Sequence, residues 1–513
     1  MTLRSVVTPA IAESEQSARA PLSDTTTPAL AQTARFIREN LPKLVAISLI
    51  VLIPCFWHRR VEAADLGSHL YGAWLVQLIK RGQVHGLVIA SQWTNVLFDY
   101  LLTGLANFFS MPVVEKIAVS IAVMIFFWGI FSLVGAAARR PPWLLVPLFA
   151  MVTYGWTFQM GFFNYYISLG LSFFGLALFW RGKGFERLLP LALAPFILLA
   201  HPLGLAWLVA AALYIAIAED IPRRYQILWL LTAAAALVLV HFYLNHHFVV
   251  DAGENPLYLF TGADQFVLFG ARYKIIQAAF LIFVFVAMLV DVLRRRGERG
   301  LWNAYRMPLE LYIIVELGVI LLPDGIRFAG HPAAMALLTE RLTSVSAFLL
   351  CCLLGAMLPR RWHMIAGVAI AAVFFAFMYQ DTGTLNHMEA QAERLVRTLP
   401  PNQRILATIK PLPGSRVLIQ HMIDQACIGY CFSYGNYEPA SAMFRVRALP
   451  GNRYSLTDYD SASDMEEGIY EVEAEDLPAY QVYQCSLRGT DLCIRPLEEG
   501  ELNDRLGIHP AEP

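Results

Sequence analysis

The feature that most constrains this chain is a repeated order of segments. A long apolar run is followed by an arginine cluster, then by another apolar run and a base-poor connection. Arg139-Arg140, Arg181 with Lys183 and Arg187, Arg223-Arg224, Arg294-Arg295-Arg296 with Arg299 and Arg306, and Arg360-Arg361 form the basic set. Gln159–Gly161, His201-Pro202, Asn245–Asp264 and Pro323–His331 form the base-poor set. A hydrocarbon layer about 30 Å thick takes roughly 20 apolar residues per helix, and cytoplasmic connections hold the excess of Lys and Arg. The alternation therefore predicts a polytopic membrane protein with its N-terminus and all the arginine clusters in the cytoplasm. Arg59-Arg60, just after the first apolar run, are a local exception on the outer side.

Composition agrees with that reading. The 513 residues are 57% hydrophobic and only 15% charged, where a soluble domain carries about a quarter charged residues. Lys+Arg 39 against Asp+Glu 40 leaves a net charge of −1, which gives no electrostatic footprint for nucleic acid. The charge is unevenly placed, with 20 acidic and 11 basic residues from Asp381 to the end. Three regions follow. Residues 1–43, rich in Ser, Thr, Ala and Pro, read as a disordered cytoplasmic extension. Residues 44–380 read as a transmembrane domain, and residues 381–513 as a soluble periplasmic or extracellular domain.

Eleven spans are expected: 44–57, 113–138, 143–158, 162–180, 188–200, 203–218, 227–244, 275–293, 309–322, 333–358 and 364–379. The fold class is thus an all-α polytopic membrane bundle with a C-terminal α/β soluble outer domain. Residues 58–112 form a large first outer loop. Two amphipathic stretches in it, Asp65–Lys80 and Asn95–Phe109, are expected as helices lying on the outer membrane surface. In the tail, strand-like runs start at Arg404, Arg416, Ile469, Tyr480 and Leu492, and Met388–Leu399 and Gln420–Ile428 look helical. Tyr434-Gly-Asn-Tyr-Glu-Pro reads as a turn whose aromatic and polar groups also suit carbohydrate stacking.

Chemistry is expected where ionisable groups sit beside the outer surface, because charges at membrane depth are costly and tend to be kept for a task. No phosphate-binding glycine loop, dinucleotide fingerprint, His-Glu-x-x-His or nucleophile elbow is present. The prominent cluster is Glu62-Ala-Ala-Asp65-Leu-Gly-Ser-His69-Leu-Tyr71, directly after the first span. Asp65 is either a helix N-cap or a carboxylate able to take a proton from a hydroxyl nucleophile, with His69 one turn on. His246-His247 with Asp251 and Glu254 read as a solvated loop rather than a metal site.

With its first span, large outer loop opening on an acidic motif, and later bundle, the chain resembles the GT-C superfamily of integral-membrane glycosyltransferases. Gly161-Phe-Phe-Asn-Tyr-Tyr166 and His201-Pro202 stand at outer ends where such enzymes often carry similar residues. One departure is that many members have two adjacent acids, whereas Glu62 here stands three positions before Asp65. The resemblance implies glycosyl transfer from a polyprenyl-phosphate-linked sugar donor to an envelope glycan, lipid or protein acceptor. Asp65, Glu62 and His69 would be catalytic, and a divalent metal (Mg or Mn) is one implied cofactor. An anionic lipid phosphate leaving group calls for fixed positive charge, and Arg327, Arg341 and Arg272 are the candidates. His201 and Tyr71 are candidate substrate contacts, against a capping role for His201 and an internal ion pair of Arg341 with Glu340 or Glu316. Two other functions compete: a transporter or flippase of a lipid-linked precursor, for which Glu316 is the one midplane charge, and a non-catalytic scaffold.

Seven cysteines divide between the two parts. Cys55, Cys351 and Cys352 lie in spans and read as small packing residues. Cys427, Cys431, Cys485 and Cys493 lie in the tail, where an even count outside the cytoplasm predicts two disulfides. Local pairing 427–431 and 485–493 is one option, and the crossed connectivities remain open.

Overall fold

The computed structural model describes residues 29–251, 261–298, 300–330, 332, 334–419, 421–486 and 489–502. The described chain is mostly helical, with a small sheet region near the C-terminus. Helix α1 (Ala29–Phe56) starts inside the stretch expected to be disordered, because Ala-Leu-Ala-Gln-Thr-Ala-Arg is made largely of strong helix formers. Residues 1–28 lie outside the described residues. After α1 come α2 (Leu66–Lys80), β1 (Leu87–Ile89), α3 (Leu97–Leu105) and α4 (Met111–Ala138). Short helices α5 (Val146–Thr153) and α6 (Trp156–Gln159) lead to α7 (Phe163–Arg181), α8 (Ala194–Ala200), α9 (Pro202–Asp220) and α10 (Gln226–His247). Strand β2 (Val249–Asp251) precedes α11 (Tyr273–Arg294) and α12 (Leu301–Leu321), and β3 (Gly325–Arg327) precedes α13 (Leu338–Ala356) and α14 (Arg361–Val396).

Among the described residues, eight helices are long and apolar enough to cross a membrane: α1, α4, α7, α9, α10, α11, α13 and α14. Two of the expected spans are broken into shorter pieces, and a third is a single helix outside the eight. The 143–158 stretch breaks into a 3-10 turn, α5 and α6, where Pro147 starts one helix and Gly155 the next. The 188–200 stretch is a 3-10 segment, Gly184–Ala192, followed by α8, with Pro190 and Pro195 interrupting regular helix. The 309–322 stretch forms most of α12, which is long but carries Arg306, Glu310 and Glu316.

Packing in the bundle depends on small residues. A Cβ on Gly129 of α4 would lie 2.5 Å from the Gly170 carbonyl oxygen of α7, so the two backbones touch, and Phe126 stacks on Tyr166 at 4.0 Å beside the crossing. At one end of the bundle, buried Asp291 ties several basic connections together. It takes hydrogen bonds from Arg295 (3.2 Å), Tyr305 (2.7 Å) and Leu358 N (3.1 Å), and Arg140 reaches the Gly355 carbonyl at 3.0 Å. The arginine connections after α4, α11 and α13 therefore meet at a single end.

The other end holds the first loop and the tail, interlocked. The tail contains β4 (Arg404–Thr408), α15 (Met422–Cys427), β5 (Phe432–Ser433), β6 (Val446–Ala448), α16 (Tyr459–Glu467), β7 (Ala479–Gln484) and β8 (Leu492–Pro496). Its four-stranded sheet has the order β5-β4-β7-β8, with β4 parallel to β5 and β7, and β7 antiparallel to β8. The runs at Arg416 and Ile469 form no ladder strand; Glu471 makes a single bridge to Leu502. The helical stretch from Met388 is a continuation of α14. Cys427 bonds Cys431, and Cys485 bonds Cys493 across the β7–β8 connection, which is the local pairing rather than either crossed one.

Loop and tail share a sheet, since β1 pairs antiparallel with β6 in the register Leu87↔Ala448. Helix α2 is buried from Leu66 to Tyr71 and again at Ala73, Leu75 and Val76, so it is roofed by the tail rather than lying open on a membrane surface. The closest approach is at Gly67, where a Cβ would stand 2.2 Å from the His421 carbonyl oxygen. Gly67→Ala must push the tail backbone away, a strain of roughly 1–3 kcal/mol. Thermal unfolding and limited proteolysis should show a lower transition and faster release of the tail. An unchanged melting temperature and cleavage rate would mean that α2 and the tail do not pack this way.

Candidate functional site

The interlocked end gathers charged groups from three parts of the chain. Asp65 occupies the N-cap position of α2 with φ −76° and ψ −6°, but its side chain makes no capping hydrogen bond. Its backbone is pinned instead, since Ala64 N donates to the Gln159 carbonyl at 2.8 Å and Asp65 N to that of Met160 at 3.1 Å. The carboxylate is therefore left for other partners. It is 20% exposed, and its Oδ1 lies 4.0 Å from His421 Nε2 of the tail. Burial raises the Asp65 pKa above the ordinary carboxylate range, opposed by the charges of His421, His69 and Arg341.

His421 is oriented from behind. Its Nδ1 sits 2.8 Å from Asp424 Oδ2, and the same oxygen accepts from Asn436 Nδ2 at 2.8 Å. Asn436 also donates to Ser68 Oγ at 2.9 Å, joining the tail network to α2. Glu438 follows, with its backbone N–H donating to Asn436 Oδ1 at 2.8 Å and its Oε1 buried without a hydrogen-bond partner. Burial pushes the Glu438 carboxyl up to about 7, while His69 and His421 pull it down.

His69 lies one turn after Asp65 and pairs with Asp99 of α3, Nδ1 to Oδ1, at 2.9 Å. Asn164, in the Gly161–Tyr166 motif, fixes that aspartate. Its Nδ2 donates to Asp99 Oδ2 at 2.9 Å while its Oδ1 accepts from Phe98 N at 2.7 Å. Burial alone would lower the His69 pKa, but the charge and hydrogen bond of Asp99, with Glu438 and Asp65 nearby, raise it to about 9.

Arg341, at the start of α13, supplies the positive charge. Its guanidinium lies over the Phe162 ring at 4.3 Å, its Nε is buried without a hydrogen-bond partner, and its charge acts on Asp65. Among the described residues it forms no ion pair with Glu340, Glu316 or any other acid. Tyr165 donates to the Arg341 carbonyl at 2.7 Å and holds this first turn of α13 against α7.

The remaining sequence candidates lie elsewhere or are otherwise engaged. Arg327 is exposed on β3, paired with Val249, and Arg272 is bound to Asp381 at 2.6 Å and Gln380 at 3.0 Å. Glu62 accepts from Asn386 at 2.6 Å and shares a hydrogen bond with Glu389, and both acids line a cavity that His421 also lines. Tyr71 is buried and its hydroxyl accepts from Ser433 N at 3.0 Å, which makes it an anchor for the tail. His201 caps α9 by accepting from Leu203 N at 3.2 Å, while its ring packs edge-on against Tyr165 at 5.4 Å. His246 and His247 are exposed at the end of α10, and Glu254 lies outside the described residues.

His421, Asp424, Asn436 and Glu438 carried no catalytic signal in the sequence. The one hint was the aromatic and polar run Tyr434–Pro439, which contains two of them. The donor set does not fit a divalent metal: among the described residues no three His, Cys, Asp or Glu side chains converge to hold one. Asp99 and Asp424 are already committed to histidines. What the arrangement offers is a poised carboxylate, an oriented imidazole and an uncompensated guanidinium. Together these can accept a proton and meet an anion.

The His69–Asp99 pair makes stability depend on pH with a definite sign. A histidine raised from about 6.5 to about 9 stabilises the fold fully below pH 6.5 and loses that contribution as pH rises through 9. The shift corresponds to roughly 3 kcal/mol. Between pH 6.5 and 10 the wild-type protein should lose about that much more stability than Asp99→Asn in parallel thermal melts. Equal slopes for the two proteins would show that the pair contributes nothing.

No family model matches the chain, and no curated protein or solved structure matches it either.

Proposed function

We propose that this chain is an integral-membrane glycosyltransferase acting on the outer face. It would move a sugar from a polyprenyl-phosphate donor to a hydroxyl or amine of an envelope glycan, lipid or protein. The observation that carries the reading is Asp65, 4.0 Å from the oriented His421 and in the field of Arg341, whose Nε is buried without a hydrogen-bond partner. The joining of the basic connections by Asp291, at the end away from the tail, supports a cytoplasmic N-terminus and an outer tail. The two tail disulfides support the same orientation.

The chemistry follows from the charges. The acceptor hydroxyl attacks the anomeric carbon, a new C–O bond forms, and the bond to the lipid phosphate breaks. Asp65 takes the hydroxyl proton, and the departing phosphate keeps the bonding electrons and is met by Arg341. His421, held by Asp424, keeps a positive or hydrogen-bonding face toward Asp65. Glu438 and His69 set the local field.

Two substitutions test this, with consumption of lipid-linked sugar by the purified protein in liposomes as the readout. Asp65→Asn removes a base and should cut turnover by roughly 10²–10⁴. Arg341→Gln removes a fixed charge facing the leaving group and should cost about 10²–10³. Because burial raises the Asp65 pKa, the acidic limb of the rate profile should lie above the usual carboxylate value of about 3.9. Near-normal turnover in Asp65→Asn would remove Asp65 as the base. A tail labelled from the cytoplasmic side would remove the outer-face reading altogether.

A further inference from the structure

A cavity of about 220 Å³ opens between α2, the start of α4, the end of α14 and α15 of the tail. It is lined by Arg59, Arg60 and Arg397, and neither Asp65 nor Arg341 reaches it. Its position follows from the chain. Arg59 and Arg60 come just after α1 ends at Phe56, and Met111 and Pro112, also in the wall, begin α4. If α1 and α4 cross a bilayer, the cavity stands at headgroup level by construction.

The charges there do not balance. Glu393 receives all three guanidiniums, Arg59 at 3.2 Å, Arg60 at 2.9 Å and Arg397 at 3.5 Å. Arg60 has a second partner, Glu389, at 2.6 Å, and Glu389 shares a hydrogen bond with Glu62. Burial, with Glu389 beside it, pushes the Glu62 carboxyl well up, and both Glu62 and Glu389 stand outside the cavity wall. The other wall carboxylate, Glu115, has Lys116 at 3.8 Å. Three guanidiniums thus face two carboxylates. Arg60 is the buried clamp, with its side chain 14% exposed, whereas Arg59 and Arg397 are 69% and 51% exposed and each makes a single ion pair to an acid already in use. Leu70, Met111 and Ile428 supply an apolar wall beneath them.

A cavity walled by three guanidiniums and two carboxylates, with an apolar floor at headgroup level, fits one class of ligand. We propose that it binds the phosphate headgroup of an anionic phospholipid, with the start of an acyl chain against Leu70 and Met111. This would account for the arginine pair that breaks the alternation of basic connections: Arg60 fastens loop to tail, and Arg59 with Arg397 takes the lipid. The inference rests on the membrane reading and is independent of glycosyl transfer.

The full-length protein in nanodiscs tests it, by native mass spectrometry of retained lipid and by thermal melts with phosphatidylglycerol or phosphatidylcholine as the added lipid. The wild type should retain phosphatidylglycerol in preference. Surface arginines near an anionic headgroup are worth about fivefold each, so Arg59→Gln with Arg397→Gln should weaken that preference by about 25-fold. The melting temperature in phosphatidylcholine should stay unchanged, because Arg60 and its clamp are untouched. Equal retention of the two lipids by the wild type overturns the proposal, as does a preference that survives in the double variant. Protection by inorganic phosphate alone, as strong as that by the lipid, would overturn the amphiphilic assignment in favour of a free anion.

Discussion

The contact between Gly67 and the His421 carbonyl is the constraint on which the interlocked end of this protein depends. Only a residue without a Cβ lets α2 come that close to the tail, and the approach brings side chains far apart in sequence within reach of one another. Ser68 then meets Asn436, Tyr71 takes the Ser433 N–H, and His421 faces Asp65. Remove the tail and Asp65 loses its imidazole neighbour, Asp99–His69 loses Glu438, and α2 exposes an apolar face. The tail is therefore part of the site, and loop and tail fold onto each other through β1–β6 as well as through this contact.

How much of this was legible in the sequence differs by element. The apolar runs and arginine clusters foretold long membrane-length helices because hydropathy is summed over many residues and tolerates local error. The runs at 143–158 and 188–200 failed as single helices because Pro and Gly inside them act locally and outweigh composition. Asp65 and His69 stood out because they share one turn of an amphipathic helix. Asp99 could not be linked to His69 in advance, since nothing local in Leu97–Leu105 reports that Asn164 will turn it toward α2. The tail side was the least legible. Asn436 and Glu438 sit in a run that reads as a turn, and their use depends on pairing with residues such as Ser68 across the whole chain.

The arginines show how one residue type serves two ends. Arg140 and Arg295 are neutralised around Asp291 or bonded to helix-end carbonyls, so they hold connections together. Arg60 likewise has Glu389 and Glu393 within ion-pair distance. A guanidinium with such partners contributes to architecture and has little left to offer a ligand.

Arg341 differs in the respect that matters for chemistry. Holding a charge largely out of water costs several kcal/mol unless a counter-charge or hydrogen bonds repay it. Here the ring of Phe162 and the field of Asp65 repay part, and the Nε repays nothing. Tyr165 and Ser344 both donate to the Arg341 carbonyl, at 2.7 and 2.6 Å, so the backbone carrying this charge is held firmly while its Nε lacks a hydrogen-bond partner. Under the proposed transfer, a side chain fixed in place but short of a partner would receive the anion, and the field of Asp65 would keep that anion from being a permanent resident. On that proposal the balance suits a group that arrives bonded to a sugar and leaves with an added negative charge, because the guanidinium gains most at the moment the charge develops.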